Sequence, residues 1–236
     1  MRGMPPWAAW LHRANLHLSG ELLGGPRVLK LAWVINAQKL GSLPFVWLLM
    51  WVYDDWSFVA WVFLGLYGSY GVAWFLKDMA FPDRNWQRRV TWGGGAAAFL
   101  LGLAPYWVLP WLLVSGRGHP PTAASLVACA IGVHTVGLFL MVAADAQKTF
   151  VLRERAGLIT DGMFRLVRHP NYLGEMMIYG SYALLVGHWA AWAILLGIWT
   201  VEFVPNMLAK EASLSRYPEW AAYRSRTGAL LPRLGR

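Results

Sequence analysis

The chain has 236 residues, of which 57% are apolar, 16 are Trp and only 14% are charged. Soluble domains carry charge on about a quarter of their residues, so this composition excludes a water-soluble globule and demands that apolar surface be covered by lipid. The net charge of +9 is carried by a chain that must therefore sit at a membrane, where anionic headgroups account for it without a nucleic-acid partner.

Six stretches, near residues 28–52, 57–76, 90–114, 122–144, 172–186 and 190–208, read as membrane crossings, since about 20 apolar residues of helix traverse a core of ~30 Å. The predicted fold is all-α, a polytopic membrane bundle of about six transmembrane helices. Its last two crossings are joined only by Gly187, His188 and Trp189 and should form a tight hairpin. Three units follow: an amphipathic arm (1–27), a four-helix membrane part (28–144), and a cofactor-binding hairpin with a basic tail (145–236). With six crossings, all of the 21 Lys and Arg except Arg117 and Lys39 fall on one face. The positive-inside rule makes that face cytoplasmic, with both termini on it, in the inner membrane of a bacterium or the endoplasmic reticulum of a eukaryote.

In chain order, residues 1–25 lack the uninterrupted apolar core and small-residue cleavage site of a signal peptide. Trp7, Trp10, Leu11 and Leu18 opposing His12, Arg13 and Asn15 predict an arm lying on the membrane surface. The first crossing is interrupted by Asn36, Gln38 and Lys39 and then by Gly41, Ser42 and Pro44. An ammonium at that depth should face the bundle interior or a wet cavity. The second crossing sets Tyr67, Tyr70, Trp74 and Lys77 on one helical stripe, and its buried phenols each need a hydrogen-bond partner. The loop over 77–86 is charged and long enough to fold over a headgroup or a cofactor. The third crossing, with Gly93, Gly94, Gly95, Pro105 and Pro110 and no ionisable side chain, reads as scaffold. The fourth contains a lone His134, read as hydrogen-bonded core, and ends at Asp145, Gln147 and Lys148. A cationic segment follows, with Arg153, Arg155, Arg165 and Arg168. Cys129 is the sole cysteine, so neither a disulfide framework nor a Cys-rich metal site is expected.

The richest stretch is Arg168-His169-Pro170-Asn171-Tyr172-Leu173-Gly174-Glu175. Pro170 suits the first position of a helix, and from Asn171 the helix brings Glu175 one turn on. A carboxylate at the bilayer centre is unfavourable by roughly 2.5 to 3.5 kcal/mol, so Glu175 needs a partner or a task. In the last crossing Glu202, Asn206 and Lys210 form a polar stripe at four-residue spacing. Together these groups predict one cavity for an anionic, hydrogen-bonding cofactor, with phosphates on Arg and Lys. No Gly-rich dinucleotide loop follows a strand. No His and carboxylate constellation has metal-ligand spacing, so no metal is expected.

The run Asp145-x-Gln147-Lys148, the core from Arg168 to Glu175, and the ending Tyr217-Pro218-x-Trp220-x-x-Tyr223-x-x-Arg226 to Leu231-Pro232 resemble the C-terminal domain of the steroid 5α-reductase family, including its uncharacterised bacterial members. The likeness covers about the last 95 residues. It implies NADPH as cofactor and reduction of a carbon–carbon double bond conjugated to a carbonyl in a lipid-like substrate. It further implies that Asp145, Asn171 and Glu175 bind the nicotinamide half. Lys148, Arg153, Arg165, Arg168, His169, Tyr172, Asn206 and Lys210 would surround the rest of the cofactor. Tyr67, or else Tyr70, with Gln38 and Lys39, would polarise the substrate carbonyl. Lys39 stands where the family has Glu. Isoprenylcysteine and phospholipid methyltransferases, which use S-adenosylmethionine, share the hairpin and an Arg-His-Pro-x-Tyr-x-Gly core and form the alternative. A non-enzymatic lipid-binding membrane protein is the third reading.

Overall fold

The computed structural model describes residues 3–233, and 73% of the chain is helical. Eight helices order these described residues: α1 (Pro6–Glu21), α2 (Leu31–Tyr53), α3 (Phe58–Ala80), α4 (Trp92–Val114), α5 (Ala124–Glu154), α6 (Pro170–Val186), α7 (Trp189–Leu214) and α8 (Trp220–Arg226). Their ends carry the expected caps. Ser57 Oγ accepts from the Ala60 amide at the start of α3, Thr91 Oγ1 from Gly94 at the start of α4, and His188 Nδ1 from Ala190 at the start of α7. Each satisfies one of the amides a helix start leaves free. Pro170 opens α6 and left-handed Gly187 (φ 63°) closes it.

Four helices, α3, α4, α5 and α7, are long and apolar enough to cross a membrane. This fits a membrane protein, as do outward-facing Trp51, Phe58, Leu100, Phe139 and Trp189. The other two expected crossings differ for separate reasons. Helix α2 has the length, at 23 residues, but Asn36, Gln38, Lys39 and Ser42 dilute its apolar character. Helix α6 has 17 residues, at the short limit of the roughly 17 to 25 that cross a bilayer, and its stretch from Ile178 to Ala183 is wholly buried. It lies principally along α5, with less against α7, its neighbour in sequence.

Two close crossings set this packing. At the first, a Cβ on Gly137 of α5 would lie 2.7 Å from the Gly174 carbonyl oxygen of α6, and one on Gly174 2.5 Å from that of Gly137. At the second, a Cβ on Gly71 of α3 would lie 2.2 Å from the Lys39 carbonyl oxygen of α2. A two-residue antiparallel ladder, β1 (Leu29–Lys30) with β2 (Arg89–Val90), ties the entry of α2 to the loop before α4. Helix α1 does not merely rest on a membrane surface. It packs against α4 and α7, where Gly93 and Gly94 would drive a Cβ into the backbone of Leu22 and Gly20.

Gly71→Val should destabilise the protein by about 3 kcal/mol, the upper end for overpacking, because the obstruction is backbone. Gly65→Ala, on the same helix with open space around it, should be neutral or stabilising by up to ~1 kcal/mol. Thermal melting of both variants in one detergent checks the contrast; equal melting temperatures would refute the close α2–α3 crossing.

Candidate functional site

Near the end of the bundle where the loop before β2 lies, α1 to α7 all contribute to the wall of a cavity of about 530 Å³, a size usual for small-molecule and cofactor sites. Helix α6 contributes Asn171, Tyr172, Glu175 and Tyr179; α7 contributes Glu202, Phe203, Asn206 and Lys210; α2 contributes Lys39. The i, i+4 spacing in α6 and the i, i+4, i+8 spacing in α7 thus bring their polar groups to one space. Among the described residues, Asn171, Glu175 and Glu202 make no side-chain hydrogen bond or ion pair. The Lys210 ammonium sits 4.5 Å from the Tyr172 ring centroid. His12 of α1 bonds Asn206 Oδ1 through Nδ1 at 2.9 Å, so the N-terminal helix closes one side.

The cavity floor is an ammonium in an aromatic cage. Lys39 is 5% exposed and donates from Nζ to the hydroxyls of Tyr70, at 3.2 Å, and Tyr179. The rings of Tyr70, Trp74, Tyr179 and Tyr106 surround it at 4.6, 5.1, 5.1 and 5.7 Å, a cation–π arrangement that gains strength when dry. Tyr70 lies behind this floor. Tyr67 lies deeper still, edge-on to Tyr182 at 4.8 Å and donating to the Tyr106 carbonyl at 3.3 Å. Gln38 is fully buried and bonds Ser42 at 3.4 Å, leaving its Oε1 without a partner. Neither Tyr67 nor Gln38 lines the cavity. His134 is core, as its setting predicts, bonded to the Tyr182 hydroxyl at 3.1 Å.

Several of the predicted cofactor ligands are engaged within the protein. Asp145 reaches the cavity wall but pairs with Lys77, whose side chain is 4% exposed, and lies 3.7 Å from Lys148. Lys148 pairs with Asp83 at 2.7 Å. Burial raises the Asp83 carboxyl, yet Lys148 outweighs that and holds it below its ordinary pKa. Arg168 donates to Glu211 at 2.7 Å and to the Thr227 carbonyl, anchoring the tail. His169 bonds Glu211 at 3.3 Å, and burial keeps its pKa below the ordinary imidazole value, so this is a hydrogen bond of a neutral ring at neutral pH. Arg153 and Arg165 are exposed and outside the cavity. Sequence reasoning missed Tyr106 and Glu211 as participants and left Tyr179 and Lys77 without a role. The i, i+4 relation of Glu175 to Tyr179 was the available signal for one of them.

Lys77→Met should destabilise the protein by about 3 to 5 kcal/mol, the usual effect of stripping one partner from a buried pair. Adding Asp145→Asn should restore most of the melting temperature; a double variant as unstable as the single one would show that the pair is not the cause.

Known proteins add one level of identity. Two uncharacterised proteins of Schizosaccharomyces pombe are similar to the chain, one 29% identical over 106 residues and the other 31% identical over 87. These alignments cover 42% and 33% of this chain but 38% and 24% of the relatives, so the chain spans less than two-fifths of either. A family model matches residues 100–227, which include most of α4, all of α5 to α8 and the cavity-wall groups Asp145, Asn171, Glu175, Glu202, Asn206 and Lys210. On that match the chain belongs to the family described as "Protein of unknown function (DUF1295)", within the steroid 5α-reductase-like superfamily.

Proposed function

We propose that this protein is a membrane-embedded, NADPH-dependent reductase of a conjugated carbon–carbon double bond in a lipid-like enone. One observation carries the reading: the caged Lys39 and its partner Tyr179 line the same cavity as Asn171 and Glu175, whose side chains lack partners among the described residues. The donor set fits the cofactor. An amide and a carboxylate one helical turn apart complement the N–H and C=O of a carboxamide, and Lys210 offers a cation to a phosphate. NADPH, when bound, supplies the hydride.

As hydride adds to the β-carbon of an enone, negative charge gathers on the carbonyl oxygen. Tyr179 donates its hydroxyl hydrogen to that oxygen while accepting a hydrogen bond from Lys39, which keeps the phenol oriented and adds positive potential. Fixed donors of this kind contribute about 2.7 to 4 kcal/mol to the barrier when removed singly. The α-carbon of the enolate then takes a proton from solvent water, so that hydride and proton together complete the reduction and Tyr179 keeps its hydroxyl hydrogen. Tyr179 thereby occupies the role that the resemblance assigned to Tyr67, with Tyr67 and Tyr70 bracing the aromatic floor from behind. The apolar wall of Leu31, Ile35, Leu101 and Leu103 suits a hydrocarbon substrate. A second reading, an S-adenosylmethionine-dependent methyltransferase, draws support from Glu175 and Glu202, two free carboxylates that would suit a sulfonium.

Thermal shifts with NADPH, NADH and S-adenosylmethionine distinguish the readings, since a ligand at about 100 times its Kd stabilises by ~2.7 kcal/mol. NADPH should stabilise the wild type, Asn171→Ala with Glu175→Gln should abolish the shift, and oxidation of NADPH should follow addition of an enone lipid. Tyr179→Phe should keep the shift and lower kcat by about 10² to 10³. Stabilisation by S-adenosylmethionine alone would replace the reductase with the methyltransferase. No shift with any of the three would leave a lipid-binding protein.

A further inference from the structure

Arg88 lines the main cavity and also a second hollow of about 360 Å³ beside α1. The hollow is walled by His17, Arg27, Arg88 and Arg89, with Glu21 as the one carboxylate in its lining. Three guanidiniums in so small a space repel one another. Burial first, and then the charge of Arg27, hold Arg88 below its ordinary pKa. The protein answers little of this charge. Glu21 takes Arg27 in an exposed ion pair, Arg88 donates to Ser19 Oγ at 2.7 Å, and Arg89 reaches the Val28 carbonyl at 3.4 Å. A guanidinium has five N–H donors, so most of these donors lack a protein partner among the described residues. Exposed Leu23 follows Glu21 closely in sequence and exposed Trp92 follows Arg89, an apolar and an aromatic side chain typical of a membrane–water boundary.

We propose that His17, Arg27, Arg88 and Arg89 form a binding site for a phosphate group, and that the phosphate belongs to an anionic membrane phospholipid. Guanidiniums match phosphate oxygens in pairs, and the flanking apolar side chains can take the first methylenes of the lipid. The occupant would join α1, through His17, to the strand β2, through Arg89, across the seam already made by the Arg88–Ser19 bond. Since α1 closes the cavity through His12, an anionic lipid would hold that closure in place. The proposal stands apart from the reductase reading and needs no nucleotide.

Native mass spectrometry of the purified full chain, titrated with phosphatidylglycerol, phosphatidylcholine and inorganic phosphate, tests it. Phosphatidylglycerol should bind more tightly than phosphatidylcholine. Arg27→Gln with Arg89→Gln should weaken phosphatidylglycerol by about thirtyfold, the effect of two cations at an anionic surface. The pair Arg84→Gln and Arg155→Gln, equal in charge and elsewhere on the surface, should change it little. Should the first double variant fail to fold, Arg89→Gln alone should cause about a fivefold loss. Equal losses in both double variants, or equal affinity for the two lipids, would overturn the site. Saturable binding of inorganic phosphate without binding of phosphatidylglycerol would overturn the lipid assignment.

Discussion

A buried ammonium is the constraint on which the arrangement of this bundle depends. Lys39 lies buried within α2, and a charge withdrawn from water without partners is prohibitive. Hydroxyls and ring faces from α3, α4 and α6 supply what water no longer does. They can do so only because Gly71 lets α3 touch the α2 backbone at Lys39 and because the Gly137–Gly174 crossing seats α6 deep against α5. Beneath the ammonium, the aromatic layer is fastened by its own polar tips. Tyr67 donates to the Tyr106 carbonyl, and Tyr182 donates to the Leu66 carbonyl while bonded to His134. A floor so fastened holds the Tyr179 hydroxyl still, which is what an oxyanion donor requires.

The charged groups around the cavity separate into two classes by what they touch. Lys77, Asp145, Lys148 and Asp83 form a chain of ion pairs between α3, α5 and the loop after α3, while Arg168, His169 and Glu211 join the tail to α6 and α7. Their charges are balanced within the protein and hold elements together. Among the described residues Glu175 and Glu202 have no ion-pair partner and, with the neutral Asn171, line the cavity. Groups left in that state near lipid mark a binding surface more reliably than the number of cations nearby.

Two π-helical turns border the same cavity, Ala98–Leu103 in α4 and Trp199–Phe203 in α7. Such turns loosen the regular hydrogen-bond ladder and recur at functional sites. Here one of them is stitched to the N-terminal helix, because Asn15 Nδ2 donates to the Val201 carbonyl at 2.8 Å. The other brings Gly102 so near Glu202 that a Cβ would lie 3.0 Å from its Oε1. The run Gly93, Gly94 and Gly95, bland as scaffold, is the bed in which α1 and the segment after it lie.

Composition and periodicity alone determined the membrane class, the nearly all-helical fold, and the convergence of Asn171, Glu175, Asn206 and Lys210. Those residues share faces of single helices, and helical spacing is a local property of the chain. The same local logic placed Lys39 and His134 inside. Only the tertiary structure decided which cations are paired, since Lys77 and Lys148 meet carboxylates from distant segments, Asp145 and Asp83, while Lys210 has no such partner among the described residues. It also decided that Tyr179 and not Tyr67 faces the cavity, that α6 is short and buried, and that the N-terminal arm closes the site. Each of these depends on how close two backbones come, and that distance is set by pairs of residues far apart in sequence, such as Gly71 with Lys39, which no single-helix pattern records.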